Sequence, residues 1–428
     1  MSRQAQSRAV VVGGGIGGLT AALALRLRGW QVTVLERADG LRPVGAGISL
    51  APNSQRALDV VGIGAEIRAL EAWEGDGGLL TPKGRWLSRA DPKLAAERFG
   101  GSIVLLHRAT LIDKLAGRLP ADAVRTASEA RLVDAGDPDD PARPARVSTP
   151  EGDLEAELVV GADGINSAVR GALFPEHPGA EYTGFTTWRV LVPPLGRPFT
   201  QHETWGPGRL WGTHPFADGT VYAYAAAMAP AGQRAPGGDE KAELLRRYGS
   251  WHDPIPAILD AVEPGQVLRH DVHQIARPLP AYHRGRVALL GDAAHAMAPT
   301  LGQGGNQAIE DAVVLAHHAA PGAPLDLPGY SAARLPRTTS IARRAMTVSR
   351  VNLTANRPLI ALRNTAIRAV GALGPAFLLR GMDGIADWRP PQREPYVGAP
   401  PYAAQTRPGT RTARTPQDRT PQDRSTQT

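Results

Sequence analysis

Residues 9–37 carry the pattern that most constrains how this chain of 428 residues can fold. Residues 9–12 are a short apolar, β-branched run, typical of a strand buried on both faces. Three glycines follow in the spacing Gly-x-Gly-x-x-Gly, namely Gly13, Gly15 and Gly18. An Ala- and Leu-rich helical segment (21–28) and a second apolar strand (32–35) come next, and that strand ends on Glu36. This order predicts a dinucleotide-binding strand–turn–helix–strand unit.

Each of these residue types has a physical reason to stand where it does. Gly13 allows a sharp turn, and Gly15 lacks a Cβ, so a pyrophosphate can approach the backbone amides. Gly18 lets the helix and strand pack closely, and Glu36 can accept hydrogen bonds from ribose hydroxyls. An acid at the ribose disfavours a 2′-phosphate, so the nucleotide is expected to be FAD or NAD. Glycines of an ordinary surface turn are the alternative interpretation.

Composition limits the function classes. The length predicts two domains, and the absence of cysteine excludes a disulfide framework, a thiolate metal site and a redox dithiol. Residues 1–8 are polar without the apolar core of a signal peptide, and no apolar run reaches about 18 residues, so we expect a cytoplasmic protein without an integral membrane segment. The net charge is +7, but the arginines do not cluster with aromatics, so no nucleic-acid partner is expected.

Two later stretches again deliver an acid from a buried strand. Residues 158–161 lead to Asp163, and residues 287–290 lead through a glycine to Asp292. Ligands of open α/β sheets bind at the carboxyl ends of the strands, so both acids are candidate ligand groups. Arg108 lies in the first turn of a predicted helix, where the helix dipole does not favour a cation, and this indicates either a ligand contact or a solvated helix start.

These stretches together resemble the FAD-dependent aromatic hydroxylases, the single-component flavoprotein monooxygenases of the para-hydroxybenzoate hydroxylase type. Residues 183–189 and 202–206 are most similar to the salicylate, 3-hydroxybenzoate and urate hydroxylase branch. The resemblance covers roughly residues 8–385 and implies FAD, with NAD(P)H as a co-substrate that docks without a nucleotide fold of its own. It also implies insertion of one oxygen atom of O2 into an aromatic or unsaturated substrate through a flavin C4a-hydroperoxide. Without cysteine we expect non-covalent FAD.

The resemblance also implies roles for individual residues. The implied FAD-binding residues are Gly13, Gly15, Gly18, Glu36, Arg37, Ser49, Arg108, Asp163, Asp292, Leu301, Gly302 and Gly304. Pro299 and the turn 301–305 would pass beside the isoalloxazine, where a helix beginning near Gln303 stabilises the anion of reduced flavin. Tyr222 and Arg189 are the preferred polar groups of the substrate pocket. His295 is interpreted as a structural histidine.

The predicted fold class is α/β, with a discontinuous Rossmann-like FAD-binding domain, a mixed-sheet substrate domain and C-terminal helices. The expected boundaries are 1–75, 100–180 and 271–388 for the FAD-binding domain, 76–99 and 181–270 for the substrate domain, and 389–428 for a disordered tail. A helix over 358–380 is amphipathic enough to touch a membrane surface, but packing on the FAD-binding domain is the preferred interpretation. Urate hydroxylases need a pocket arginine near Arg209, and the register places Leu210 there, so urate is disfavoured.

Three other functions stay open: an FAD-dependent dehydrogenase or oxidase, a flavin-dependent halogenase, and a non-catalytic FAD- or NAD-binding protein. The halogenase is disfavoured because its Trp-x-Trp-x-Ile-Pro motif is missing. The expected partners are O2 and an aromatic or polyketide-like small molecule, bound by a monomer or homodimer. No general base for substrate activation has convincing spacing in the sequence.

Overall fold

A computed structural model describes residues 7–41, 47–70, 77–372, 374 and 379–391. The strands are β1 (Arg8–Val12), β2 (Gln31–Leu35), β3 (Gly47–Leu50), β4 (Gly77–Leu80), β5 (Trp86–Ala90), β6 (Val104–His107), β7 (Val124–Arg125), β8 (Arg131–Asp134), β9 (Ala145–Thr149), β10 (Gly152–Ala156), β11 (Leu158–Gly161), β12 (Ala180–Val192), β13 (Gln201–Gly206), β14 (Arg209–Pro215), β15 (Val221–Met228), β16 (Leu268–Ile275), β17 (His283–Arg284) and β18 (Val287–Leu289). The helices are α1 (Ile16–Leu27), α2 (Pro52–Val60), α3 (Gly64–Leu70), α4 (Pro92–Phe99), α5 (Arg108–Ala116), α6 (Ala168–Leu173), α7 (Glu240–Tyr248), α8 (Ile255–Ala261), α9 (Asp292–His295), α10 (Gly304–His318), α11 (Leu327–Asn352) and α12 (Arg357–Ala372).

A six-stranded sheet forms the centre of the nucleotide-binding part, with strand order β17-β18-β11-β1-β2-β7. β1 pairs in parallel with β11 and with β2, and β11 pairs in parallel with β18. The carboxyl ends of these strands therefore meet at one edge. The three sequence stretches that were separated along the chain now flank a common cleft, as expected for an open α/β sheet.

A seven-stranded sheet with strand order β16-β12-β15-β14-β13-β4-β5 builds the second layer. One of its faces is covered by α7 and α8 and buries an apolar cluster that contains Trp188, Trp211, Tyr248 and Trp251. The opposite face packs against the turn around Leu301. Because side chains alternate across a strand, every second residue of β12 to β15 is directed toward the cleft.

Residues 92–99 of the substrate part form α4, whose start is stabilised by Asp91. The Asp91 side chain accepts a hydrogen bond from the Leu94 amide at 2.9 Å. The helix expected over 358–380 is α12, which lies against β5 of the seven-stranded sheet. Its Arg363 stacks over the Trp205 ring at 5.3 Å and donates to the carbonyl of Asn352 at the end of α11, so α12 contacts both this sheet and a helix of the expected FAD-binding range. The tail was expected over residues 389–428, and residues 392–428 lie outside the described part of the chain.

Within the described ranges no helix combines the length and the apolar character needed to cross a membrane.

Candidate active site

The amino end of α1 forms an open, donor-rich surface. No side chain caps this helix at its N-cap residue, Gly15, so the first backbone N–H groups are left for another acceptor. A Cβ built on Gly15 meets no atom within 4 Å, whereas one built on Gly13 would lie 2.3 Å from the Ala162 carbonyl oxygen. The site therefore combines a tight turn with free space above the helix end, which suits a pyrophosphate.

Glu36 follows β2 at the same edge of the sheet. Its carboxylate accepts hydrogen bonds from the backbone amides of Gly14 at 2.7 Å and Ala38 at 2.9 Å. These two bonds hold the half-buried carboxylate beside the glycine turn and leave further lone pairs for a ribose hydroxyl. Arg37, the next residue, is exposed, and its contact with FAD stays a prediction.

Charged groups from three separate elements meet in the cleft. Burial lowers the pKa of Arg108, at the start of α5, while the charge of Asp292 opposes this shift and that of Arg189 adds to it. Asp292 and Arg108 both keep solvent-accessible side chains. Among the described residues, neither Arg108 nor Arg189 has a carboxylate within ion-pair distance. Two unpaired cations beside one carboxylate suit a ligand that is both anionic and rich in hydroxyls.

Asp163 is engaged in local structure. One carboxylate oxygen accepts a hydrogen bond from the Ser167 hydroxyl at 2.5 Å, and the other accepts from the Val169 amide at 3.1 Å. Ser167 in turn caps α6 by accepting from the Arg170 amide at 2.9 Å. The carboxylate thus stabilises the Asp-Gly turn itself, and its direct contact with FAD stays a prediction.

The turn that begins at Pro299 closes the cleft from one side. Gly302 has a φ of +62°, and a Cβ on it would lie 3.0 Å from the Ser49 hydroxyl oxygen. The helix α10 then begins at Gly304 without a side-chain cap, and the Cβ position of Gly304 is 3.9 Å from a carboxylate oxygen of Asp292. The predicted residues Ser49, Gly302, Gly304 and Asp292 are therefore neighbours in space, and uncapped amides are directed toward them.

A buried ion network supports this turn from behind. His295 contacts Asp311 with 2.5 Å between Nε2 and a carboxylate oxygen, and Arg334 donates to the other oxygen of Asp311 at 2.6 Å. Burial would raise the pKa of Asp311, but the neighbouring charges of His295 and Arg334 hold it at about 2. The Gly291 amide also donates to Asp311, at 2.9 Å. His295 is thus structural, as the sequence indicated, and the network holds the residue before Asp292 in place.

The cleft face of the seven-stranded sheet is aromatic. Tyr222 is 8% exposed and lies against β3. Its ring is so close to Gly47 of β3 that a Cβ built on this glycine would lie 2.6 Å from a ring carbon. Burial raises the pKa of Tyr222, and the charge of Arg189 opposes this shift. Leu210 lies on the cleft face with Leu301, whereas Arg209 is on the far face, 5.6 Å from the Trp251 ring. Leu210 therefore lies on the cleft face, and its correspondence to the arginine position of urate hydroxylases stays a prediction.

Sequence analysis missed one polar pair on this face. Tyr224 donates a hydrogen bond to Glu203 at 2.6 Å, and the indole N–H of Trp205 donates to the other carboxylate oxygen. Glu203 and Trp205 are two residues apart on β13, so the sequence shows that they share one face of the strand. Their contact with Tyr224, which lies two strands away in the sheet, could not be read from the sequence.

Comparison with known proteins shows the family of this chain. The model of the FAD binding domain family matches residues 6–345. The chain belongs to this family. An aurachin C monooxygenase/isomerase of Stigmatella aurantiaca is 37% identical over 311 residues, covering 72% of this chain and 79% of the relative. A 3-amino-4-hydroxybenzoate 2-monooxygenase of Streptomyces cremeus is 37% identical over 362 residues, covering 79% of this chain and 86% of the relative.

Solved structures agree with this assignment. The structure of Klebsiella pneumoniae HpxO complexed with FAD and uric acid has a TM-score of 0.81 and 26% identity, covering 90% of this chain and 97% of that one. A salicylate hydroxylase substrate complex shares the fold with a TM-score of 0.71 at 21% identity, covering 90% of this chain and 96% of the other. The expected α/β fold and the expected family are confirmed. The chain is an FAD-dependent monooxygenase that consumes NAD(P)H.

The residues present fit FAD. The uncapped amides of α1 and α10 and the guanidinium of Arg108, which has no ion pair with a described residue, offer donors to phosphate and to the flavin. Glu36 and Asp292 offer acceptors to sugar hydroxyls. FAD held by these residues would supply the redox chemistry, namely acceptance of a hydride from NAD(P)H and activation of O2 for transfer of one oxygen atom. The contribution of this chain is to hold the cofactor, orient the substrate and keep water out of the cleft.

Proposed function

We propose that this enzyme hydroxylates an electron-rich aromatic small molecule held between the turn 299–305 and the aromatic face of the seven-stranded sheet. The observation that carries the proposal is the packing of Leu301 in one apolar cluster with Leu210, Phe185 and Tyr224. This cluster joins the turn assigned to the isoalloxazine with the substrate face of the sheet. A flat, apolar ring bound there would present one edge to the flavin.

The site assignments belong to the same proposal. The FAD-binding residues are those implied by the family resemblance, with Pro299, Tyr222 and Arg189 lining the reaction chamber. The chain divides into an FAD-binding part (1–75, 100–180, 271–388) and a substrate part (76–99, 181–270), and the pairing of β4 with β13 in one sheet supports this division. We further propose non-covalent FAD and a monomer or homodimer in the cytoplasm.

Urate is not the proposed substrate, although the similar protein HpxO is described in complex with FAD and uric acid. Here the cleft face carries Leu210, and the adjacent Arg209 is held on the far face by Tyr248 and Trp251. A leucine offers no charge and no donor to a purine oxygen. Apolar arenes therefore fit this position better than a purine does.

The test is turnover with a panel of phenols, hydroxylated heteroarenes and polyketide-like aromatics. NAD(P)H oxidation is followed in the presence of isotopically labelled O2, and products are analysed by mass. Incorporation of one labelled oxygen atom into an arene supports the proposal. Substrate-stimulated NAD(P)H oxidation that yields only hydrogen peroxide with every compound indicates an oxidase. A dehydrogenated product that forms without NAD(P)H, when an electron acceptor is added to take the two electrons from FAD, indicates a dehydrogenase.

A further inference from the structure

Glu203, Gly212 and Tyr224 form one row across three neighbouring strands on the cleft face. Glu203 is paired with Gly212, and Gly212 is paired with Tyr224. A Cβ on Gly212 would lie 2.2 Å from the Tyr224 ring, so only a glycine lets the ring cross β14 to reach Glu203. The missing side chain therefore makes the Tyr224–Glu203 hydrogen bond possible.

The direction of the hydrogen bonds in this row is determined by Trp205. An indole N–H can only donate, so the carboxylate oxygen that it contacts must accept. Burial raises the pKa of Glu203, and the hydrogen bonds from Tyr224 and Trp205 oppose this shift by favouring the ionised carboxylate. The second oxygen of the ionised carboxylate is 2.6 Å from the Tyr224 hydroxyl and can only accept a hydrogen bond there as well. Tyr224 therefore donates a hydrogen bond to Glu203 and keeps its proton. The lone pairs of the Tyr224 oxygen can then accept a hydrogen bond from another molecule.

The surroundings keep this arrangement in place. Burial raises the pKa of Tyr224, and the charge of Glu203 and their hydrogen bond raise it further, so the phenol stays protonated. His214 stacks on Tyr224 with ring centroids 5.5 Å apart. Burial lowers the pKa of His214 to about 4, so this ring is neutral at physiological pH. Although protein surrounds Glu203, Tyr224 and His214 closely, each keeps part of its surface accessible, as expected for side chains that line an internal cavity.

We propose that Tyr224 is a substrate-binding residue that accepts a hydrogen bond from an O–H or N–H group of the arene, and that Glu203 is the positioning residue that makes Tyr224 an acceptor. This inference rests on the proposed function, because it places the arene against the face that Leu301 shares with Tyr224. It narrows the substrate class to arenes with a hydroxyl or a ring or amino N–H. Ethers of the same shape are excluded, since their oxygen would face the lone pairs of Tyr224.

The test compares phenol and naphthol, each against its methyl ether. Binding to the FAD-loaded enzyme is measured from the change in flavin absorbance, without turnover. We expect each hydroxyarene to bind at least about tenfold more tightly than its ether, as one charge-assisted hydrogen bond network would give. Tyr224→Phe should reduce this ratio to about one. Tyr248→Phe, which removes a tyrosine hydroxyl bonded to the Ala226 carbonyl on the far face of the same sheet, is the matched control and should keep the ratio.

Glu203→Gln separates a positioning role from a structural one. Trp205 still requires an acceptor, so the amide oxygen faces the indole and the amide NH2 faces Tyr224. Tyr224 then accepts from the amide and directs its own proton toward the ligand. The ethers should therefore gain affinity in Glu203→Gln, whereas a merely damaged pocket would lose affinity for all four compounds.

Equal binding of hydroxyarene and ether to the wild-type enzyme, or no binding of either hydroxyarene at millimolar concentration, would overturn the proposal. A loss of ether affinity in Glu203→Gln that parallels the loss of phenol affinity would also overturn it. Oxygen incorporation is scored separately in the turnover assay. An enzyme that binds phenols selectively but never oxygenates an arene contradicts the proposed function and leaves the binding role of Tyr224 intact.

Discussion

A Cβ built on Gly18 would lie 1.9 Å from the carbonyl oxygen of Gly13, which is closer than any real contact of this kind. The same construction on Gly15 meets no atom within 4 Å. Two glycines of one motif therefore have different physical roles. Gly18 is required for α1 to pack on the turn after β1, while Gly15 keeps room for a ligand.

The first prediction uses this contrast. Gly18→Ala should destabilise the fold by about 1–3 kcal/mol or more, because backbone atoms must move apart. Gly15→Ala should fold with an unchanged melting temperature as apoprotein and bind FAD about tenfold or more weakly. The measurements are thermal unfolding by circular dichroism and FAD titration of the apoprotein. Equal effects of the two substitutions on apoprotein stability would contradict the assignment.

The second prediction concerns Asp292, whose carboxylate makes no hydrogen bond to a described residue and faces Arg108 across the cleft. Asp292→Ala should remove one or two charge-assisted hydrogen bonds to the ribityl chain, roughly 1.5–3 kcal/mol each, and lower FAD affinity by about tenfold or more. Asp292→Asn should retain part of the binding. Flavin fluorescence gives the affinity and circular dichroism controls for folding. If Asp292→Ala folds and binds FAD as tightly as the parent enzyme, then FAD does not contact Asp292 and its proposed position is wrong.

The third prediction concerns the buried network behind the turn. Arg334 is 1% exposed and donates to both Asp311 and Glu310. Arg334→Met leaves the buried carboxylate of Asp311 without a guanidinium, whereas Glu310 keeps its ion pair with Arg337. We expect a loss of about 3–5 kcal/mol in the free energy of unfolding. Arg98→Met, which removes the exposed ion pair with Asp383, is the matched control and should leave the urea midpoint nearly unchanged. Similar midpoints for both variants would show that the network adds little stability.

The fourth prediction concerns the decrease in the free energy of unfolding at acidic pH. Burial lowers the pKa of His202 to about 4, and the charge of His252 lowers it as well, against the hydrogen bond to Thr200. A histidine in an unfolded chain has a pKa near 6.5. Between about pH 6.5 and pH 4 this residue is therefore protonated in the unfolded chain but not in the folded one. Stability should fall as pH decreases through this window, by up to about 3 kcal/mol from this residue.

The measurement is the melting temperature as a function of pH. His202→Gln should make this dependence less steep between about pH 6.5 and 4, because one histidine whose pKa is lowered to about 4 is removed, while His214, whose pKa is also lowered to about 4, keeps its contribution. The exposed His273→Gln is the matched control variant. A slope that is the same in wild type and His202→Gln would show that His202 does not titrate on unfolding.

The nucleotide-binding part was predictable because its signals are local. The turn at Gly13, the helix that follows and the acid at Glu36 are neighbours in sequence, and each residue type has one conformational reason to be there. The carboxyl ends of parallel strands share one edge by geometry, so Asp163 and Asp292 were placed at the cleft before any pairing was known. Whether Asp163 touches the ligand was not decided by this argument, since local hydrogen bonds occupy its carboxylate.

By itself the sequence determined the α/β fold, a dinucleotide-binding unit and the edge of the sheet at which a nucleotide is expected, since these depend on short-range glycine spacing and strand periodicity. The choice of FAD came from the resemblance of three separate motifs to a family. Only the tertiary structure decided which face of each substrate-domain strand meets the flavin, because a period of two separates two faces without saying which one is inside. Long-range pairing brought Glu203, Gly212 and Tyr224 into one row from three strands.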